Sequence, residues 1–287
     1  MPLDSIAEIL ASCSERNLAF WQVVLEADVE ERQVSAEASF EKMRATWRAM
    51  LDSAESYDGG LRSVSGLSGG DGELMRRYAA GGAAMGGGYI SEVIATALCV
   101  GESNACMRKI VAAPTAGACG VLPAVLVPLY RRGEREEDIL RALYTAAGIG
   151  AVINSRASIS GAAGGCQAEI GSASAMAAGA LAQLRGGGPE QTANALAMAL
   201  KNLMGLICDP VAGLVEVPCV KRNVIGAVNA VSCADMALAG ITSRIPADEV
   251  IDCMGIVGER LPREFRETAR GGLAATPTGR AAWKKLK

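Results

Sequence analysis

The sequence contains no histidine and few aromatic residues. Its 287 residues include no histidine at all, and Phe, Trp and Tyr together make up 4% of the chain. Histidine is the most frequent general acid or base in enzymes. A mechanism that needs an imidazole must therefore find it on another chain or use another residue type. Because small residues replace aromatic rings in an apolar chain, we expect close packing between small side chains.

Three further absences narrow the functional classes. The formal net charge is -3, which lacks the basic excess typical of nucleic-acid binding. No GxxxxGK[ST] phosphate loop and no strand–GxGxxG–helix unit is present. The start, MPLDSIAEIL, has no basic and apolar leader. We therefore expect a cytoplasmic protein with reduced thiols, in which the nine cysteines are not a disulfide framework.

One uncharged stretch, residues 110–130, is long enough to cross a membrane. It also contains Pro114, Pro123 and Pro128, and proline removes a backbone donor and interrupts helices. A span broken in this way would leave backbone groups unpaired in lipid. We therefore predict a buried loop followed by a core helix, with no membrane partner.

Helical spacing dominates the rest of the chain. Apolar residues recur at helical intervals over 6–25 and 40–50, and Ser5 with Glu8 forms a capping box. After residue 90, long Ala/Gly/Val/Ile segments show almost no strand alternation. Helices are predicted there at 91–110, 135–154, 167–184, 189–208, 219–240 and 246–261.

These patterns predict an all-α fold, a compact set of many helices with Gly/Pro-rich loops at the helix ends. Residues 1–72 are expected to form an N-terminal helical cap and a Gly/Ser-rich connector. Residues 73–287 are expected to form the main helical domain, continuous with the cap.

Position in the pattern separates the cysteines into two groups. We expect four of them, which lie within helical patterns, to be small buried apolar residues: Cys13, Cys99, Cys233 and Cys253. Cys106 lies near a helix end and has no evident role. The other four lie at breaks in the pattern: Cys119, Cys166, Cys208 and Cys219.

The spacing of this second group leaves its role open. Cys208 is predicted to end a helix, because the following Asp209 precedes Pro210, and Cys219 is predicted to open the next helix. The intervals between the cysteines fit neither a zinc ribbon nor a ferredoxin-type run. Structural thiols and ligands of a [4Fe–4S] cluster in a preformed pocket are both compatible with single cysteines at helix ends.

Four segments carry a resemblance that favours the second of these alternatives. They read IVAAPTAGACGVLPAVL, SISGAAGGCQAEIGSASAMAAG, LICDPVAGLVEVPCVKRN and GGLAATPTGR. Together they resemble the α chain of the iron–sulfur-dependent L-serine dehydratases, in the form that has separate α and β chains. The resemblance covers most of residues 90–280.

The resemblance implies a cofactor and a partner. A [4Fe–4S] cluster would be held by Cys166, Cys208 and Cys219, leaving one iron open as a Lewis acid for the hydroxyl of L-serine. Serine would be converted to pyruvate and ammonia, as in amino-acid degradation. The general base is not identified in this chain. A β subunit with a Ser-His-Thr motif would supply the missing histidine in a hetero-oligomer.

Substrate contacts are predicted for six residues in or near these motifs: Lys109, Thr115, Gly117, Ser158, Ser160 and Asp209. The hydroxyl of Thr115 and the amides around Gly117 would meet the substrate carboxylate. Asp209 would accept the substrate ammonium or serve as a turn residue. Lys109 would offset carboxylate charge or end a solvated helix.

Two positions depart from the family pattern. Arg156 stands where the family usually has Asn, and Ala163 where it has Glu. These differences leave two alternatives open: the same fold and cluster acting on threonine or cysteine, and a non-catalytic iron–sulfur module. The latter would need a fourth ligand, for which Cys119 is the local candidate.

Overall fold

The computed structural model describes residues 4–286, which form helices and loops without a β-strand. This confirms the predicted all-α fold. The helices are α1 (Ile6–Arg16), α2 (Phe20–Arg32), α3 (Ala36–Glu55), α4 (Asp71–Ala80), α5 (Gly87–Ala105), α6 (Val121–Arg131), α7 (Glu136–Arg156), α8 (Gly161–Gly164), α9 (Ser172–Leu184), α10 (Pro189–Asn202), α11 (Cys219–Leu238), α12 (Ala247–Arg260) and α13 (Pro277–Lys285).

Helix α9 is the centre of the core. It packs against α6, α7, α10 and α11, and each of its residues from Ser172 to Ala182 is buried. Its small side chains allow this close packing. A Cβ added at Gly179 would lie 2.3 Å from the Cδ1 atom of Ile149 on α7. The predicted close packing at small residues is therefore found at this buried helix.

The N-terminal periodicity covers two helices rather than one. Ser5 caps α1 as predicted, its hydroxyl accepting the backbone N–H of Glu8 at 3.1 Å. Asn17 then takes a left-handed conformation, with φ 52°, and ends α1. Helices α2 and α3 pack on α7. The domain boundary at residue 72 stays a prediction.

Two helices end earlier than their patterns predict. Helix α5 ends at Ala105 because Met107 has a left-handed backbone, with φ 59°. Helix α10 ends at Asn202, and Gly205 turns the chain with φ 85°. Cys208 therefore does not end a helix, and that prediction is wrong. It lies in an extended segment that forms a single β-bridge with Arg266.

The uncharged stretch 110–130 is a loop followed by a buried helix, as predicted. Helix α6 begins at Val121 and is buried through Pro128. In the described part of the chain, no helix combines the length and the apolar character needed to cross a membrane.

The buried-thiol prediction holds for three of its four cysteines. Cys13, Cys99 and Cys233 are at most 4% exposed. The prediction is wrong for Cys253, which is exposed. On helix α12, the next residue, Met254, is buried in the core. Cys253 therefore lies on the outer side of the helix, where its sulfur is 3.6 Å from the sulfur of Met204.

Candidate functional site

Three cysteines from distant parts of the sequence are buried close to one another. Cys166, Cys208 and Cys219 are 3%, 3% and 8% exposed. Hydrogen bonding with Cys166 is the main cause that raises the pKa of Cys208. For Cys219 burial is the main cause of the raised pKa, and the charge of Cys166 is the second. The structure thus brings together the three cysteines that were predicted as cluster ligands. We call this set the cysteine pocket.

Cys166 is fixed by the turn that follows it. Residues Gln167–Gly171 form a π-helical turn that leads into α9. The side chain of Gln167 donates to the carbonyl of Met254 at 3.1 Å and accepts the N–H of Gly205 at 2.8 Å. Its backbone N–H also donates to the carbonyl of Leu206 at 2.9 Å. These bonds tie the Cys166 turn to the segment that carries Cys208.

Cys208 is held through its own backbone. Its N–H donates to the carbonyl of Phe265 at 2.8 Å, and its carbonyl accepts the N–H of Glu267 at 3.0 Å. Cys208 is thus anchored by a segment far along the chain rather than by a helix.

Cys219 begins α11, as predicted, directly after the cis bond Val217–Pro218. The preceding loop is fastened by Glu216, whose carboxylate accepts hydrogen bonds from the hydroxyls of Ser63 and Ser65, each at 2.6 Å. The Gly/Ser-rich connector therefore holds the loop that separates Cys208 from Cys219.

Arg222 adds a largely buried cation to the cysteine pocket. Its side chain is 15% exposed. One Nη donates to the carbonyl of Ile207 and the other to Oδ1 of Asp209, both at 2.8 Å. Its charge also acts to lower the pKa of Cys166. The sequence pattern did not single out Arg222.

Asp209 is occupied by contacts within the chain. Besides the ion pair with Arg222, its Oδ2 accepts the N–H of Leu273 at 2.8 Å, and the residue is 2% exposed. The backbone comes this close because Gly272 has φ 56°. A Cβ added there would lie 2.3 Å from Oδ2. These contacts give Asp209 a structural role, and its role as ammonium acceptor stays a prediction.

Glu169 is a second site residue that the sequence pattern did not single out. Its Oε1 accepts the hydroxyl of Thr115 at 2.7 Å, and its Oε2 lies 4.0 Å from Sγ of Cys208. A Cβ added at Gly161 would lie 2.5 Å from Oε2, and one at Gly117 would lie 3.0 Å from Oε1. Two glycines are therefore needed where these segments surround the carboxylate.

The electrostatics of the pocket follow from burial and mutual contact. The Cys208 thiol beside it is the main cause that lowers the pKa of Cys166. The same contact, followed by burial, raises the pKa of Cys208. Burial raises the pKa of Cys219 to about 12 and that of the Glu169 carboxyl above its usual range.

The other predicted substrate residues differ in their relation to the pocket. Thr115 and Gly117 border it through Glu169. Ser160 directly precedes Gly161 and is exposed, and its N–H donates to the hydroxyl of Ser158 at 3.1 Å. Lys109 is exposed in the loop between α5 and α6. The substrate roles of all these residues stay predictions.

The two departures from the family pattern have separate surroundings. Arg156 pairs with Asp252, at 2.6 Å from Nη2, and lies 3.8 Å from Asp248. Both aspartates are on α12. Ala163 is exposed on the short helix α8. The positive charge of Arg156 is therefore neutralised by aspartates of α12. A longer side chain at position 163 would extend from an exposed backbone position.

Cys119, the candidate fourth ligand, is buried against α5. Its thiol is 4.0 Å from the carbonyl oxygen of Val100 on α5. It is 1% exposed, and burial raises its pKa to about 12.

An apolar cleft of about 610 Å³ adjoins the loops of the site. Its walls include Ala116 of the Thr115 loop, residues 212–216 and Trp283 of α13.

The donor set can be tested against metal chemistry. In the part of the chain that the structure describes, no three Cys, Asp or Glu side chains converge closely enough to hold a single metal ion. A polynuclear cluster spreads its irons over several corners, so its thiolate ligands stand apart. Buried cysteine thiols are the type of ligand that such a cluster uses.

Comparison with known proteins identifies the family. Residues 15–274 match the family model described as serine dehydratase alpha chain. A probable L-serine dehydratase α chain of Bacillus subtilis is 46% identical, covering 98% of this chain and 94% of its own. The L-serine dehydratase α chain of Peptoniphilus asaccharolyticus is 41% identical over 96% of each chain. An L-serine dehydratase of Escherichia coli is 48% identical over 62% of this chain and 40% of its own. This chain belongs to the serine dehydratase α-chain family.

Proposed function

We propose that this chain is the α subunit of an iron–sulfur L-serine dehydratase. L-Serine loses water to give aminoacrylate, which rearranges to an imine and hydrolyses to pyruvate and ammonia. The observation that carries the proposal is the cysteine pocket itself. Three thiols from separate segments are buried beside Arg222, in a chain whose named relatives are L-serine dehydratases.

The residues of the pocket fit a [4Fe–4S] cluster. Cys166, Cys208 and Cys219 would hold it, whereas the thiol of Cys119, the candidate fourth ligand, is directed to the carbonyl of Val100. When bound, a cluster with three protein ligands supplies an open iron that acts as a Lewis acid on the substrate hydroxyl.

Arg222 and its neighbours prepare the pocket for this cofactor. Three thiolates in a buried site repel one another, and the guanidinium of Arg222 offsets part of their charge. The bonds from Arg222 to the carbonyl of Ile207 and the carboxylate of Asp209 hold the residues on both sides of Cys208. The N-terminus of α11 begins at Cys219 and adds its dipole.

The missing histidine supports a second subunit. The relatives from B. subtilis and P. asaccharolyticus are named α chains, which implies a companion chain. We propose that a β subunit packs beside the cysteine pocket and supplies the group that completes catalysis.

Anaerobic co-purification with the companion β chain tests the proposal. We expect the pair to form pyruvate from L-serine, and this chain alone to be much slower. L-Threonine and L-cysteine measured in parallel would show whether serine is preferred. Absence of pyruvate formation by an iron-loaded pair would contradict the proposed function.

A further inference from the structure

We propose that Glu169 binds the ammonium group of the substrate and thereby selects hydroxy amino acids over hydroxy acids that lack an ammonium group. This inference rests on the proposed function. It concerns a residue for which the sequence patterns predicted no role.

The position of Glu169 follows what the substrate requires. The amino nitrogen and hydroxyl oxygen of serine are on adjacent carbons, so an acceptor for the ammonium must lie beside the thiols that hold the cofactor. Oε2 of Glu169 is 4.0 Å from Sγ of Cys208. The π-helical turn after Cys166 places Glu169 there, three residues further on.

The carboxylate also has capacity for a cation. Among the described residues, no lysine or arginine pairs with Glu169. Its contacts are the Thr115 hydroxyl and the weak thiol donor of Cys208. A carboxylate has about four acceptor sites, and an ammonium is a strong, charge-assisted donor to it. A bound ammonium would supply the positive charge that the partly buried carboxylate lacks.

The other carboxylate near the pocket is less suited to this role. Both oxygens of Asp209 are used by Arg222 and the N–H of Leu273. Accepting a substrate ammonium there would place it beside the Arg222 cation. Thr115, by contrast, can keep its bond to Oε1 of Glu169 while Oε2 receives the substrate.

The test compares Glu169→Gln with wild type in the iron-loaded enzyme with its β chain. We expect the KM for L-serine to rise about tenfold or more, because the charged acceptor is lost. The inhibition constant of 3-hydroxypropanoate should change less than twofold, because that compound keeps the carboxylate and hydroxyl but lacks the ammonium. Both constants are independent of the fraction of enzyme that carries a cluster.

Glu267→Gln is the matched control. The charge of Glu267 acts on Glu169, and its removal subtracts the same charge from the neighbourhood. The KM for L-serine should stay within twofold of wild type. A general electrostatic effect would instead raise the KM in both variants and would overturn the assignment.

Two other outcomes would overturn the inference without touching the proposed function. One is a KM for L-serine in Glu169→Gln within twofold of wild type. The other is an equal weakening of L-serine and 3-hydroxypropanoate, which would show a role in pocket shape. A wild-type enzyme that binds no iron or does not consume serine would instead contradict the proposed function itself.

Discussion

Arg222 and Asp209 form a buried ion pair, with 2.8 Å between Nη2 and Oδ1, that joins α11 to the segment carrying Cys208. Removing one partner of a buried pair leaves an uncompensated charge. We predict that Arg222→Met lowers the free energy of unfolding of the metal-free chain by about 3 kcal/mol, measured in urea.

A surface pair provides the control for this prediction. Arg77 pairs with Glu73 on α4, and its side chain is 75% exposed. Arg77→Met should leave the unfolding midpoint unchanged within error, because exposed pairs contribute little. Equal effects of the two substitutions would show that the Arg222 pair has no special structural role.

The close approach of Glu169 and Cys208 to Gly161 gives a second prediction. A Cβ there would lie 2.5 Å from Glu169 Oε2 and 3.2 Å from Cys208 Sγ. Gly161→Ala should therefore reduce the iron bound after anaerobic reconstitution to less than about half of wild type while the helical circular dichroism is retained. Gly188→Ala should bind iron normally, since nothing lies within 4 Å of its added Cβ. Normal iron binding by Gly161→Ala would contradict the packing described for the pocket.

The Gly/Ser-rich connector, which holds the loop between Cys208 and Cys219, gives a third prediction. Glu216 is 5% exposed and accepts hydrogen bonds from Ser63 and Ser65. Replacing both serines by alanine should destabilise the chain by about 1–3 kcal/mol and speed proteolytic cleavage of the connector. Glu216→Gln keeps an acceptor oxygen and should have a smaller effect. Unchanged proteolysis in the double variant would show that these bonds do not hold the loop.

Buried thiols predict a loss of stability at alkaline pH. Burial raises the pKa of Cys99 to about 12 and that of Cys233 to about 11, from an ordinary value of 9.0. The unfolded chain therefore releases these protons first. The stabilising contribution is complete below pH 9 and is lost as pH rises through the folded-state values.

Urea unfolding at pH 8, 9 and 10 measures this effect. Each thiol contributes at most about 1.4 kcal/mol per pH unit to the decline. Cys233→Ala should flatten the decline between pH 9 and 10. A variant with the wild-type slope would contradict the assignment to this thiol.

The sequence predicts the helices well because their signals are local. The N-cap at Ser5 and the start of α11 at Cys219 are examples. The extended segment at Cys208 was missed, because its partner Arg266 is distant in sequence and the pairing depends on tertiary structure. Cys253 was misplaced because the pattern gives helical spacing but not the exact orientation of each residue.

The candidate site divides in the same way. The three cysteines were identified by motif, and the structure brings them together. Glu169 had one available signal: it is the single charged residue between Cys166 and Arg185. Arg222 had none, because its neighbour Lys221 is equally basic and instead pairs with Asp71. Only the orientation of α11 distinguishes the two.

Iron and acid-labile sulfide per chain, measured after anaerobic reconstitution, test the central proposal most directly. We predict about four of each in wild type, as a [4Fe–4S] cluster requires. Separate alanine substitutions at Cys166, Cys208 and Cys219 should lose them, while Cys119→Ala keeps them. Little iron in wild type, or equal retention in all four variants, would contradict the assignment of the cysteine pocket as a cluster site.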